Sequence, residues 1–165
     1  MDQNAGGPRR ASSPVDGAPR RDTRYQGAIV REHSILLIQH CELATDRRYW
    51  LLPGGRIETG ETEEECVARE MQEETHLRVG VERLLVACKT AVDAFYPWRK
   101  TYLCHIIEGE AAPGEEPEPE HYTLYSISDV RWLDLRDDPS TWDTLIVSDD
   151  ITYPELLEIR RLLRY

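Results

Sequence analysis

The sequence predicts a mixed α/β domain, on three observations. Short apolar runs broken by turn residues dominate the middle of the chain and read as strands. One strongly capped helix, Thr62–Thr75, sits among them. An amphipathic helix, Pro154–Arg164, comes at the end. No internal repeat is visible.

Residues 1–22 are rich in Gly, Pro, Ser and Arg with almost nothing apolar to bury, and read as a disordered tail. Arg9, Arg10, Arg20, Arg21 and Arg24 make it mildly basic, which suits a solvated extension or an arm for an acidic partner. The single domain is expected over 23–165. Gly27–Val30 and Ser34–Ile38 flank the polar Arg31-Glu32-His33 and read as a buried hairpin. Glu42–Arg48 is a polar loop. Tyr49–Leu52 is a strand stopped by Pro53-Gly54-Gly55. Val79–Val92 holds one or two strands, Arg99–Ile107 another, and Ile127–Leu133 a late one. Glu108–His121 is an acidic, Pro-rich loop, either a connector or a lid. In the final helix Leu156, Ile159 and Leu163 form a stripe. Thr152 and Glu155 have the spacing of a capping box, and Arg160, Arg161 and Arg164 suit the negative end of the dipole.

Composition narrows the function. The chain has 165 residues, enough for one domain with a real core, and a formal net charge of −11. That charge repels extended nucleic acid, yet a small anionic substrate remains open where metal ions supply positive charge. Cys41, Cys66, Cys88 and Cys104 form no CxxC pair, so neither a zinc knuckle nor a redox motif is present. A reduced, cytoplasmic setting is expected. No run is long and apolar enough for a membrane span, and no secretory signal is visible. P-loop, nucleophile-elbow and dinucleotide-binding glycine motifs are absent.

The chemistry concentrates in residues 55–77. Thr62 and Glu65 have capping-box spacing, and Glu63, Glu64 and Glu65 place negative charge in the first turn, where the dipole favours it. At about 100° per residue, Glu70, Glu73 and Glu74 share one helix face. Val67, Ala68, Met71 and Thr75 form the neighbouring, less polar arc that can pack on a sheet. Arg69 lies one turn from both Glu65 and Glu73 and can brace the acids. Three crowded carboxylates repel unless a cation sits among them. Hard ions such as Mg²⁺ take oxygen ligands and assist phosphoryl chemistry.

Residues 55–77 resemble the signature of the Nudix hydrolase family, G-x5-E-x7-R-E-U-x-E-E-x-G-U, at Gly55, Glu61, Arg69, Glu70, Met71, Glu73, Glu74 and Leu77. His76 stands where the family has glycine. Trp50–Gly55 is similar to the family's approach to this box. The resemblance implies an α/β/α sandwich with a mixed central sheet. It also implies hydrolysis of a nucleoside diphosphate linked to another group, ADP-ribose or a nucleoside triphosphate among the options. It implies Mg²⁺, with Mn²⁺ as an alternative, held by Glu70, Glu73, Glu74 and the carbonyl of Gly54. Glu73 is a candidate general base and Asp129 a weaker one; Asp129 suits a turn residue opening a strand better. Gly55, Glu61 and Arg69 would support the loop and helix. The other class of reading is a nucleotide-sensing module of the same fold without hydrolysis. The partner in either case is a small nucleotide, and a homodimer is compatible.

Outside the box, Tyr96-Pro97-Trp98 before Arg99-Lys100 suits a base-stacking wall beside phosphate-binding cations, or a hairpin tip or dimer contact. Arg56, Arg47 and Arg48 could each meet a phosphate or be solvated. Cys66, one turn before Glu70, suits a semi-buried filler better than a thiolate ligand. The five histidines show no ligand spacing and carry no assigned chemistry.

Overall fold

The computed structural model describes residues 20–93, 95–114 and 124–165. Seven strands run in chain order: β1 (Thr23–Arg31), β2 (Ser34–Glu42), β3 (Arg48–Leu51), β4 (Gly54–Arg56), β5 (Arg78–Lys89), β6 (Trp98–Glu108) and β7 (Tyr125–Asp134). The helices are α1 (Glu63–Thr75), α2 (Thr144–Val147) and α3 (Thr152–Leu163), with a 3-10 turn at Pro139–Thr141 before α2. The strand order is β3-β2-β1-β6-β5, with β4 added to β1 and β7 added to β2. β1 and β6 run parallel from Thr23↔Trp98 to Ile29↔Cys104, while the other pairs are antiparallel. The sheet is therefore mixed, as expected.

Alternation along β1 decides what each helix touches. Tyr25, Gly27 and Ile29 face α1, whose Cys66, Val67 and Met71 complete that half of the core. Ala28 and Val30 point the other way, into a second cluster with Trp50, Leu52 and the Leu156 and Ile159 stripe of α3. Helices thus cover both faces, giving an α/β/α sandwich.

Several local readings need correction. Arg24, grouped with the basic tail, lies in β1 and is buried. The rest of the expected tail, 1–19, falls outside the described residues. Gly54 and Gly55, read with Pro53 as a strand stop, instead form a short strand with Arg56 against Arg24–Gln26. Residues 79–92, expected to hold one or two strands, carry one, β5. Thr152 and Glu155 form no capping box, since α3 has no side-chain cap at its Ile151 N-cap. The Thr152 hydroxyl instead donates to the Trp50 carbonyl (2.8 Å), and Glu155 turns into the core toward Gln26 and Thr101. Asp149 takes the Ile151 and Thr152 N–H groups in place of the cap (3.0 and 2.6 Å).

The α1 capping box is present. The Glu65 N–H donates to the Thr62 hydroxyl (3.2 Å), and the Thr62 N–H to the Glu65 carboxylate (2.8 Å). At the other end His76 adopts the left-handed conformation, φ 61°, that glycine would take without penalty. The chain beyond β6 folds back on this end. The N–H groups of Ala112 and Gly114 reach the carbonyls of Thr75 and Glu74 (3.2 and 2.9 Å), and the His76 ring meets the Pro113 carbonyl (3.2 Å). The start of the acidic loop is therefore a helix cap, while 115–121 lies outside the described residues. His76→Gly is expected to change stability by no more than about 1 kcal/mol, because relief of left-handed strain opposes the lost ring contact and the freer unfolded chain. Urea denaturation checks this; a loss well beyond that value would make the ring contact the stronger term.

Candidate active site

The α1 face that carries Glu70 and Glu74 is turned into the protein, not along its edge. Glu70 is fully buried and Glu74 nearly so, whereas the Glu73 side chain is 39% exposed. β4 explains how two carboxylates tolerate this position. The Gly54 N–H donates to Glu74 Oε2 (2.6 Å). Gly55 leaves room for Glu70: a Cβ there would stand 2.4 Å from Glu70 Oε1. Gly54 itself has φ 153° and sits against the β1 backbone, where a Cβ would meet the Tyr25 carbonyl at 2.3 Å. The two glycines thus let a sheet edge approach the helix at backbone distance.

Arg69 organises the acids. Its Nε and Nη2 meet the two Glu61 oxygens (2.6 and 3.1 Å), and Nη1 meets Glu70 Oε1 (2.8 Å) and Glu73 Oε2 (2.9 Å). Nη2 also donates to the Arg56 carbonyl (3.0 Å), locking the loop to the helix. Burial works against the Arg69 charge, but the surrounding carboxylates outweigh it and hold the guanidinium protonated. Glu70 behaves oppositely: burial first, then the neighbouring Glu74 charge, pushes its carboxyl well above the usual range against the pull of Arg69 and Arg24.

Glu70 Oε2 is buried with no hydrogen-bond partner among the described residues. An orphaned carboxylate oxygen beside a second buried carboxylate fits a hard cation. Among the described residues no three His, Cys, Asp or Glu side chains stand close enough to hold one as placed. Glu70 Oε1 and Glu73 Oε2 are instead bridged by Arg69 Nη1. Cys66 is fully buried, and burial, then Glu70, raises its thiol above the ordinary value. That suits a neutral filler.

A cavity of about 390 Å³ lies beside this cluster, within the size range of small-molecule sites. His40 and Arg24 connect the two: both line the cavity, and His40 Nε2 is 3.8 Å from Glu74 Oε1. The His40 ring packs 5.7 Å from Tyr49 and 5.9 Å from Tyr125, which also line it. Tyr96 lines the cavity with its ring under Arg24 and Arg56 (5.9 and 5.7 Å). Trp98 does not line it and instead stacks with Arg20 and Lys89 (5.6 and 5.7 Å). Arg99 and Lys100 part ways by strand alternation. Arg99 faces the cavity, while Lys100 pairs with Glu63 at the start of α1 (2.7 Å). Arg47 lines the cavity, and Arg48 pairs with Asp46 (3.3 Å). Asp129 is exposed on β7, bonded to the Val130 N–H and away from the cavity. His40, Arg24, Tyr49, Phe95, Tyr125 and Asp149 are cavity residues that carry no motif in the sequence.

With this geometry in hand, the family model for the NUDIX domain matches residues 22–144. The chain belongs to the NUDIX family. A Mycobacterium tuberculosis protein provisionally named 8-oxo-dGTP diphosphatase 2 is 32% identical over 110 residues, 65% of this chain and 77% of the relative. A nudix hydrolase 1 of Caenorhabditis elegans, also provisionally named, is 34% identical over 97 residues, 59% of this chain. The match spans only 26% of that longer relative. The crystal structure of a MutT NUDIX hydrolase from Burkholderia pseudomallei superposes with a TM-score of 0.54 at 28% identity, covering 82% of this chain and 95% of the other. Among the described residues no helix is long and apolar enough to cross a membrane.

Proposed function

We propose that this NUDIX domain hydrolyses the diphosphate linkage of a nucleoside diphosphate joined to another group, using Mg²⁺ or Mn²⁺. The observation that carries the proposal is the unpartnered, buried Oε2 of Glu70 beside Glu74, whose carboxylate lies 3.8 Å from His40 in the wall of an aromatic and arginine-lined cavity. Glu70 and Glu74 would hold the metal, with Glu73 and the Gly54 carbonyl completing the set. When bound, the metal neutralises the diphosphate, polarises phosphorus and lowers the pKa of a bound water. Glu73, the one half-exposed acid of the three, would accept a proton from the attacking water after leaving Arg69. Arg69 and Glu61 hold the loop and helix in register, and Arg24 adds positive charge between Glu70 and the cavity. The substrate of the mycobacterial relative, as its name gives it, is a nucleoside triphosphate and fits this reading.

Gly55→Ala tests the placement of Glu70. The added Cβ meets the Glu70 carboxylate and must displace it. Activity on any accepted nucleotide is expected to fall by at least about tenfold while the protein stays folded, with the metal concentration needed for half-activity rising, as metal sites respond to small displacements of their supports. Unchanged metal dependence in a folded variant would remove Glu70 from the site.

A further inference from the structure

The cavity is rich in donors, and each of its carboxylates already accepts at least one hydrogen bond. Asp93 uses both oxygens: Oδ1 accepts the N–H groups of Phe95 and Tyr96 (2.9 Å each), and Oδ2 accepts from Arg99 Nη2 (2.7 Å). Glu42 takes the Thr45 hydroxyl (2.7 Å), and Asp149 takes two backbone N–H groups. Arg99 is the opposite case. Its side chain is 7% exposed, and a guanidinium carries five N–H donors. Nη1 reaches Gln26 Oε1 (3.2 Å), Nη2 reaches Asp93, and Nε has no partner among the described residues.

Arg99 is also held in place from behind. The Glu155 carboxylate, on α3, accepts from Gln26 and from the Thr101 hydroxyl (2.7 Å). A carboxylate accepts only, so it fixes the Gln26 nitrogen toward α3 and leaves the Gln26 oxygen for Arg99. The Arg99 charge is compensated by Asp93 at 2.7 Å, with Glu155 close enough to feel it. A compensated guanidinium in an aromatic cavity suits a neutral carbonyl oxygen better than a phosphate, which would find its countercharge at the α1 carboxylate cluster once metal is bound. Tyr49, Tyr125 and Phe95 line the same cavity and supply stacking surface, and Phe95 stands 65% exposed at its rim.

We propose that Arg99 is the specificity-determining residue for the base end of the substrate, and that it selects oxo-bases, of the guanine or uracil type, over adenine. Adenine would set an amino donor against a donor-rich wall, whereas an oxo-base presents a carbonyl acceptor to it. Glu155 is a positioning residue that acts through Gln26. The proposal rests on the cavity being the nucleoside end of a nucleotide site, as in the function proposed above.

Calorimetric titration of the whole chain with GMP, UMP and AMP, without added metal, reads base preference independently of turnover. GMP and UMP are expected to bind at least about tenfold more tightly than AMP, the scale of one good base contact. Arg99→Met should bring that ratio close to one. Arg99→Lys, which keeps a charge for Asp93 but loses the planar fork, should lower it too and covers failure of the first variant to fold. Glu155→Gln should lower the ratio too, because a glutamine there can donate as well as accept and no longer fixes the Gln26 amide toward α3. AMP binding as tightly as GMP and UMP, no binding of any of the three, or an unchanged ratio in a folded Arg99 variant would each overturn the proposal. Hydrolysis of GTP, UTP and ATP with Mg²⁺, run alongside, separates the two readings. Base preference in binding without hydrolysis keeps the role of Arg99 and removes the enzyme. Hydrolysis without base preference keeps the enzyme and removes the role of Arg99.

Discussion

Glu73→Gln is expected to lower kcat on the accepted substrate by on the order of 10²–10⁴-fold, the usual worth of a positioned proton acceptor. The same change should leave thermal stability almost untouched. Glu73 is half-exposed, and its ion pair with Arg69 is one of several that Arg69 makes, so the loss should stay within about 0.5–1 kcal/mol. That dissociation of activity from stability is what separates a working acid from a bracing one. Steady-state hydrolysis and a thermal melt on the same preparation check it, and near-normal turnover in a folded variant would sink the assignment of Glu73.

Arg69→Ala should do the reverse and fall first on stability. Arg69 touches Glu61, Glu70, Glu73 and the Arg56 carbonyl, and it is the direct ion-pair partner of the fully buried Glu70. Removing one partner of a buried pair costs about 3–5 kcal/mol, which for a chain of this size lowers Tm by on the order of 10 °C. Burial already pushes Glu70 above its ordinary carboxylate range, so protonation relieves part of the cost. The sign follows from linkage: the charged form is the disfavoured one. The penalty is therefore largest at pH above the raised folded value and shrinks as pH falls toward the unfolded one. Melts of wild type and variant across pH 5–8 in a chelating buffer measure it. A difference that grows on acidification would contradict the account.

What the sequence made legible was whatever depends on local periodicity. α1 could be placed to within a residue because Thr62 and Glu65 cap it and its apolar and acidic arcs repeat at helical spacing. The β1–β2 hairpin was equally plain from its apolar runs. β4 escaped because Gly-Gly-Arg has no alternating apolar pattern; only pairing with Arg24–Gln26 makes it a strand. The Thr152/Glu155 spacing matched a cap, but a carboxylate can also satisfy buried donors, and Gln26 and Thr101 arrive from β1 and β6. The cavity was illegible for the same reason. Its residues come from separate strands, the β5–β6 loop and the chain leading into α3, with no shared spacing. Tyr96 and Trp98 looked equivalent until their surroundings separated them, one under two arginines at the cavity and the other outside it.

The most direct test of the central claim is release of phosphate-containing products from a panel of nucleoside triphosphates, ADP-ribose, sugar nucleotides and dinucleoside polyphosphates. Wild type and Glu73→Gln would be assayed with Mg²⁺ and with a chelator. The account predicts cleavage of at least one compound that requires the metal and is lost in the variant. Detectable nucleotide binding by folded protein with no cleavage across the panel would contradict it and leave a nucleotide-sensing NUDIX domain.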